Sequence, residues 1–248
     1  MIPIKSSDDL LRMRESGRMV AEILALLAEK VVPGITTLEL DRLAERECKK
    51  RGAKPAFKGY GGFPFSICAS PEDRVVHGFP DRRPLLEGEI LSIDFGVVWK
   101  GFYGDSAMTL PVGKIDAAKQ RLLDVTGQSL ALGIAQAIPG NRLFDISHAI
   151  QSYVEAQGFS VVKEFVGHGI GRGLHEDPQV PNFGPPGQGP LLRCGMVLAI
   201  EPMINAGKCG VKVLEDGWTA VTSDGKPSAH FEHTVAITDE GPQILTAV

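Results

Sequence analysis

The chain repeats itself, and the repeat limits what it can fold into. Gly88-Glu89-Ile90-Leu91-Ser92-Ile93-Asp94 returns as Gly195-Met196-Val197-Leu198-Ala199-Ile200-Glu201, each time a glycine, an apolar run and a closing carboxylate. The two carboxylates stand 107 residues apart, and Val32-Pro33-Gly34 returns as Ile138-Pro139-Gly140 with its prolines 106 apart. Offsets that agree this closely mark a duplicated unit rather than a chance match of apolar runs. We expect one domain over residues 1–248, with a pseudo-repeat of about 1–112 and 113–248.

Periodicity fills in the unit. Leu10, Met13, Gly17, Val20, Leu24, Leu27 and Val31 recur at helical spacing before the first Pro-Gly. After it, Thr36 with Glu39 forms a capping-box signature for a helix ending near Gly52. In the second half, Leu122, Leu130, Ile134 and Ile138 predict one helix and Asp145 to Gln157 another, stopped by Gly158. Strand-like segments follow each helix pair: Glu89 to Val98 and Ser106 to Leu110, then Val161 to Val166, Met196 to Ile200 and Thr234 to Ile237. The fold class is therefore α+β, two related halves sharing one sheet whose apolar face the helices cover.

Bulk properties remove several function classes. Hydrophobic residues at 43% and charged residues at 23% are globular proportions, and a net charge of −4 gives no general reason to bind nucleic acid or an anionic membrane. The start of the chain lacks a signal-peptide apolar stretch, and the apolar run Val20 to Ala28 is too short to span a bilayer. Cys48, Cys68, Cys194 and Cys209 are scattered, with no C-x-x-C pair, which suits a reducing cytoplasm.

Chemistry concentrates in four places. Asp94 and Asp105 flank a turn-like Lys100-Gly101, reading as a hairpin with two facing acids. Either Asp alone is an ordinary strand cap or turn former. The stretch Phe165 to Pro178 sets His168 and His175 among glycines; it is not a dinucleotide loop, because His175 and Pro178 interrupt the helix that such a loop must open. His148, in a helical pattern without acidic partners, reads as an ordinary surface residue. Glu201 and Glu232 each sit at the edge of a β-like run, where glutamate is disfavoured. If the halves fold together, four carboxylates converge. Pairs about 4 Å apart repel by roughly 4 kcal/mol at an effective dielectric near 20, so the cluster needs protons or cations, and two divalent ions would balance it. Carboxylates with one imidazole suit Mn²⁺, Fe²⁺, Co²⁺ or Zn²⁺ in a hydrolytic site.

Over nearly its whole length the chain resembles the pita-bread metallopeptidases, and within them the type I methionine aminopeptidase family. The motifs that carry the resemblance are Val76-His77-Gly78-Phe79-Pro80, Ile93-Asp94-Phe95, Gly104-Asp105-Ser106, Gly167-His168-Gly169-Ile170-Gly171, His175-Glu176-Asp177-Pro178, Ile200-Glu201-Pro202-Met203 and Phe231-Glu232-His233-Thr234. The resemblance implies a curved antiparallel sheet with helices on its outer face. It further implies two metal ions, with Asp105 and Glu232 bridging, Asp94 chelating one ion and His168 with Glu201 completing the other. A metal-bridging water would attack the scissile carbonyl, Glu201 would accept a proton, His175 would bond the developing oxyanion, and His77 would contact the scissile amide. The substrate amine would sit beside Asp94, and Tyr60, Phe63, Cys68 and Trp218 would hold the methionine side chain. Phe57 stands where many members have cysteine, and Leu174 replaces a frequent phenylalanine, so the pocket departs from the family pattern. The 31-residue gap between Glu201 and Glu232 leaves no room for the type II helical insertion.

The implied role is removal of the initiator methionine from nascent polypeptides with a small second residue, by a cytoplasmic monomer with the ribosome as a candidate partner and no membrane or nucleic-acid substrate. Two alternatives remain open: a prolidase or aminopeptidase P on the same fold, whose members normally carry an extra N-terminal domain, and a non-catalytic relative, which would typically lack ligands that are all present here.

Overall fold

The computed structural model describes residues 1–247. Its helices are α1 (Ser7–Ala28), α2 (Thr37–Lys50), α3 (Ala117–Ala135) and α4 (Leu143–Ala156). Its strands are β1 (Lys54–Pro55), β2 (Cys68–Pro71), β3 (Arg74–Val76), β4 (Ile90–Trp99), β5 (Phe102–Pro111), β6 (Ser160–Val161), β7 (Gly167–Gly169), β8 (Glu176–Val180), β9 (Val197–Ile200), β10 (Met203–Asn205), β11 (Val211–Val213), β12 (Ala220–Thr222), β13 (Ser228–His230), β14 (Glu232–Thr238) and β15 (Gly241–Ile244). Nine form one antiparallel sheet in the order β1-β4-β5-β14-β9-β7-β8, with β2 also on β4 and β15 also on β14. Two three-stranded sheets, β13-β10-β6 and β11-β12-β3, flank it. No helix among the described residues is long and apolar enough to cross a membrane.

The helices start where side chains satisfy their free amides. Ser6 and Asp9 form a reciprocal capping box on α1, and Thr36 and Glu39 form the expected one on α2. In the second half the Arg142 amide donates to Asp145 Oδ2 at the start of α4. Two ends differ from the periodic reading: α1 stops at Ala28, short of Val31, and α3 stops at Ala135, short of Ile138. Both residues belong instead to the turns that carry Pro33-Gly34 and Pro139-Gly140, where Gly34 (φ 95°) and Gly140 (φ 93°) are left-handed. Of the expected strand Val161 to Val166, only Val161 lies in β6; after a last bond from Val162 N–H to Met203 O the chain leaves the β10 edge to reach β7.

The repeat is visible in the backbone. Gly34 donates to Leu85 O as Gly140 does to Leu192 O, and Gly88 to Val112 O as Gly195 does to Ile237 O. The isolated bridges Thr36–Pro84 and Arg142–Leu191 match in the same way.

Strand alternation gives the sheet two chemically different faces. Leu91, Ile93, Phe95 and Val97 of β4 pack with Ile23, Leu24, Leu27 and Leu40 of the first helix pair. Leu198, Ile200, Val235 and Ile237 of β9 and β14 pack with Leu122, Leu130, Ile146 and Ile150 of the second. Each such side chain contributes about 1.5–3 kcal/mol by leaving water. Gly104 faces α1, and a Cβ there would stand 2.9 Å from the Gly17 amide nitrogen. This close crossing turns the next residue, Asp105, to the opposite face.

Candidate active site

Register on the face away from the helices places the acids in two rows. Asp94 pairs with Ala107, and Ala107 with Glu232. Glu201, one residue beyond the Ile200–His233 pair, extends that row. In the second row Gly96 pairs with Asp105, and the Asp105 backbone bonds the Thr234 hydroxyl, its N–H donating at 3.0 Å and its carbonyl accepting at 2.7 Å. Thr234 then pairs with Ala199, and Ala199 with His168. Gly96 keeps the space open, since a Cβ there would lie 3.2 Å from Asp105 Oδ1 and 3.0 Å from the Phe57 ring.

The cluster is desolvated. Asp105, Glu232 and His168 are 4%, 2% and 8% exposed, and each offers a ligand atom within 4.8 Å of the others. His168 Nε2 stands 3.6 Å from Glu201 Oε1. Asp94 Oδ1, Asp105 Oδ1 and Glu232 Oε1 are buried without hydrogen-bond partners. Burial first, then the neighbouring carboxylates, push Asp105 and Glu232 well above the usual carboxylate range. Burial raises Asp94 to about 7 and Glu201 to about 8. Burial likewise lowers His168 to about 4, keeping its imidazole neutral. With Nδ1 donating to Gly169 O at 2.9 Å, His168 presents the Nε2 lone pair to the acids. Three orphaned oxygens, one neutral imidazole and mutual repulsion make a donor set that fits divalent cations.

Around the acids lies a cavity of about 190 Å³ whose lining includes Tyr60, Phe63, Cys68, His77, His175 and Trp218, joined by Phe57 and Leu174. Phe63 meets Trp218 edge-on at 5.2 Å, and Cys68 is the register partner of Asp94, its thiol raised well above the ordinary range by burial and then by that acid. His77 takes a left-handed backbone (φ 59°), and its ring stands edge-on to Phe165 at 5.3 Å. Burial lowers His77 to about 4. His175 reaches the mouth, with Nδ1 2.8 Å from Tyr60 Oη. Its ring lies 4.3 Å from that of His168, and although it is exposed its surroundings lower its pKa. A second hollow beyond the acids is lined by His77, Val76, Phe165 and Met203. The structure thus brings every site residue expected from sequence to one cavity. His148 lies apart, exposed on α4.

Sequence reading missed three supporting groups. Asn182 donates from Nδ2 to Glu201 O at 3.0 Å. The half-buried Lys5–Glu176 ion pair, with Gly173 N–H donating to Glu176 Oε1, braces the loop that carries His175. His230 is 1% exposed, with Nε2 3.5 Å from Glu201 Oε2. Its one sequence signal is position, two residues before Glu232 and so on the same face.

The profile of metallopeptidase family M24 matches residues 11–239. The chain is 56% identical to methionine aminopeptidase from Clostridium perfringens, over all of both chains. It is also 56% identical to methionine aminopeptidase 1 from Bacillus subtilis, again over all of both. The crystal structure of methionine aminopeptidase from Thermotoga maritima superposes with a TM-score of 0.99 at 48% identity, covering 100% of each chain.

Proposed function

Because the chain belongs to metallopeptidase family M24, we propose that Asp94, Asp105, His168, Glu201 and Glu232 hold its divalent metal, two ions in all, with His77 and His175 working on the substrate. The fold is the pita-bread fold, and the chain is a metal-dependent aminopeptidase that removes N-terminal methionine. The observation that carries the site reading is the set of orphaned, buried carboxylate oxygens on the floor of a pocket walled by aromatics and a thiol. Two dications neutralise the four acids, and the mixed oxygen and imidazole set accepts Mn²⁺, Fe²⁺, Co²⁺ or Zn²⁺. The whole chain acts as one catalytic unit, since each half supplies acids to the same rows.

The metal, when bound, supplies Lewis acidity and lowers the pKa of water from 15.7 to about 7. The chain's own residues do the rest. Tyr60, Phe63, Cys68 and Trp218 enclose the methionine side chain, whose polarisable thioether suits aromatic and thiol walls. Glu201 takes the proton of the attacking water. Tyr60 Oη donates to His175 Nδ1, which leaves Nε2–H to bond the carbonyl oxygen as negative charge develops. His77, held neutral by burial, bonds the scissile amide and assists the leaving amine. The second residue enters the hollow lined by Val76, Phe165 and Met203. The likeness to methionine aminopeptidases supports the N-terminus of a nascent polypeptide with a small second residue as the substrate.

The test is hydrolysis of a Met-Ala-Ser peptide and of a Xaa-Pro peptide with Co²⁺, Mn²⁺ or Fe²⁺. Methionine should be released from the first only. No release with any of these ions, or release from the Xaa-Pro peptide alone, contradicts the reading.

A further inference from the structure

The pseudo-repeat gives His230 a counterpart. In the hairpin β4–β5 Asp94 faces Ala107, while continuing the β9–β14 register one residue past the Ile200–His233 pair sets Glu201 against Glu232. Counting two residues back along each second strand makes His230 the equivalent of Asp105, and two forward makes Thr234 the equivalent of Thr109. Hydrogen bonding repeats this pairing. Thr234 Oγ1 accepts from Asp105 N and donates to Asp105 O, and Thr109 Oγ1 accepts from His230 N at 2.8 Å and donates to His230 O at 2.9 Å. Each threonine clamps the backbone of its partner, so the two side chains leave the sheet from matching seats.

The surroundings match as well. Asp105 stands two residues from Ala107, the register partner of Asp94, and lines the same cavity as Asp94. From the equivalent seat, His230 reaches Glu201, with Nε2 3.5 Å from Oε2. Glu201 is thereby bracketed, His168 at one oxygen and His230 at the other. His230 Nε2 is buried with no hydrogen-bond partner, so a polar atom aimed into the site has an unmet requirement. An approach of about half an ångström brings the pair to the common hydrogen-bond length of about 2.9 Å. An imidazole in this seat also supplies a donor without adding a fifth carboxylate to the cluster.

We propose that His230 is a positioning residue for Glu201, donating from Nε2–H to Oε2 and fixing the carboxylate so that Oε1 faces His168. This rests on the assignment of Glu201 as a metal ligand. Partners of metal ligands typically contribute 10- to 100-fold to metal affinity.

The test compares two amides of different reach in the full-length protein: His230→Gln, long enough to place its N–H on Glu201, and His230→Asn, too short. Chelator-stripped protein is titrated with Mn²⁺ by calorimetry, with thermal melts to confirm that each variant is folded. His230→Asn should bind the tightest ion about 10- to 100-fold more weakly, with kcat reduced and KM for the Met-Ala-Ser peptide within about twofold, since substrate contacts are untouched. His230→Gln should stay close to wild type in affinity and kcat. Wild-type affinity in His230→Asn, or a Gln variant as weak as Asn, overturns the proposal while leaving the site assignment intact. Failure of wild-type protein to take up Mn²⁺ defeats the site assignment itself.

Discussion

Metal uptake should expel protons, and the structure says from which groups. At pH 7, Glu201 with its pKa near 8 keeps about 0.9 of a proton and Asp94 near 7 keeps about half of one. Asp105 and Glu232, pushed well above the ordinary range, add up to about one each. His168 adds none, because burial has already lowered it to about 4. A cation requires ionised carboxylates, so saturation at pH 7 should release between about one and about three protons per chain. Release from Glu201 and Asp94 should decline by about one proton between pH 7 and pH 8.5, as both ionise without help. The assay is calorimetric titration of chelator-stripped protein with Mn²⁺ in buffers of different ionisation enthalpy, where the slope of apparent heat against that enthalpy counts protons. A slope of zero at pH 7 would refute the claim that the site holds its acids protonated. So would a heat that tracks the release expected of an ordinary histidine alone, about 0.2 of a proton.

The same raised pKa values bear on stability. Without metal the folded chain keeps a proton on Glu201 up to about pH 8, while the unfolded chain loses it near 4.5, so the fold binds more protons and weakens as pH rises. Between pH 7 and 8.5 urea melts of chelated protein should show a loss of about 1.4 kcal/mol per pH unit for each proton still held; the buried histidines are by then largely neutral in both states, and a rise in stability contradicts the reasoning. Glu201→Ala and His168→Ala should each cut turnover more than about 100-fold with loss of bound metal, whereas His77→Ala should cut it about 100-fold with metal retained, as elemental analysis will show. Lys5→Met strands the half-buried Glu176 carboxylate and should lower stability by about 1–3 kcal/mol and reduce kcat through the His175 loop; unchanged melting and turnover would count against that bracing role. Ala107→Asp should be less stable than the isosteric Ala107→Asn at pH 8, by roughly 4 kcal/mol for each uncompensated neighbour, with the gap closing near pH 5; equal melts at pH 8 would show that size, not charge, governs the seat.

Much of this was legible because local chemistry and global fold agree. Thr36 and Glu39 announce α2 by hydrogen bonds that form within four residues, and the runs ending in Asp94 and Glu201 are continuous apolar stretches of strand length. The acids were legible as a set: Asp94 and Glu201 close the two repeated runs, whereas either Asp alone would have read as a cap or turn former. What escaped detection depends on distant partners. Strands as short as β3, β10 and β13 acquire their geometry from neighbours rather than from their own three residues. His230 escaped for a related reason. The repeat runs at an offset of 107 through the first strand of each hairpin, but β5 follows β4 after two residues, whereas β10 to β13 intervene between β9 and β14. The offset therefore jumps to 125 at the seats of Asp105 and His230, and no search at fixed spacing aligns them.

The two halves also differ inside the site. Four pairs of seats match on this side of the sheet: Asp94 with Glu201, Asp105 with His230, Ala107 with Glu232, and Thr109 with Thr234. A strictly symmetric site would fill all of the first three pairs with acids. Ala107 lies in register between Asp94 and Glu232, so a carboxylate there would face two others at once. The repulsion, roughly 4 kcal/mol per pair, rivals the whole stability of a typical domain once several pairs are added. Two seats therefore have to be neutral, and the chain neutralises them differently. Ala107 yields space beside Asp94. His230 yields charge but keeps a ring nitrogen 3.5 Å from Glu201, the acid that also faces His168. The asymmetry between a duplicated fold and an unduplicated site is thus what the electrostatics of four buried carboxylates demands.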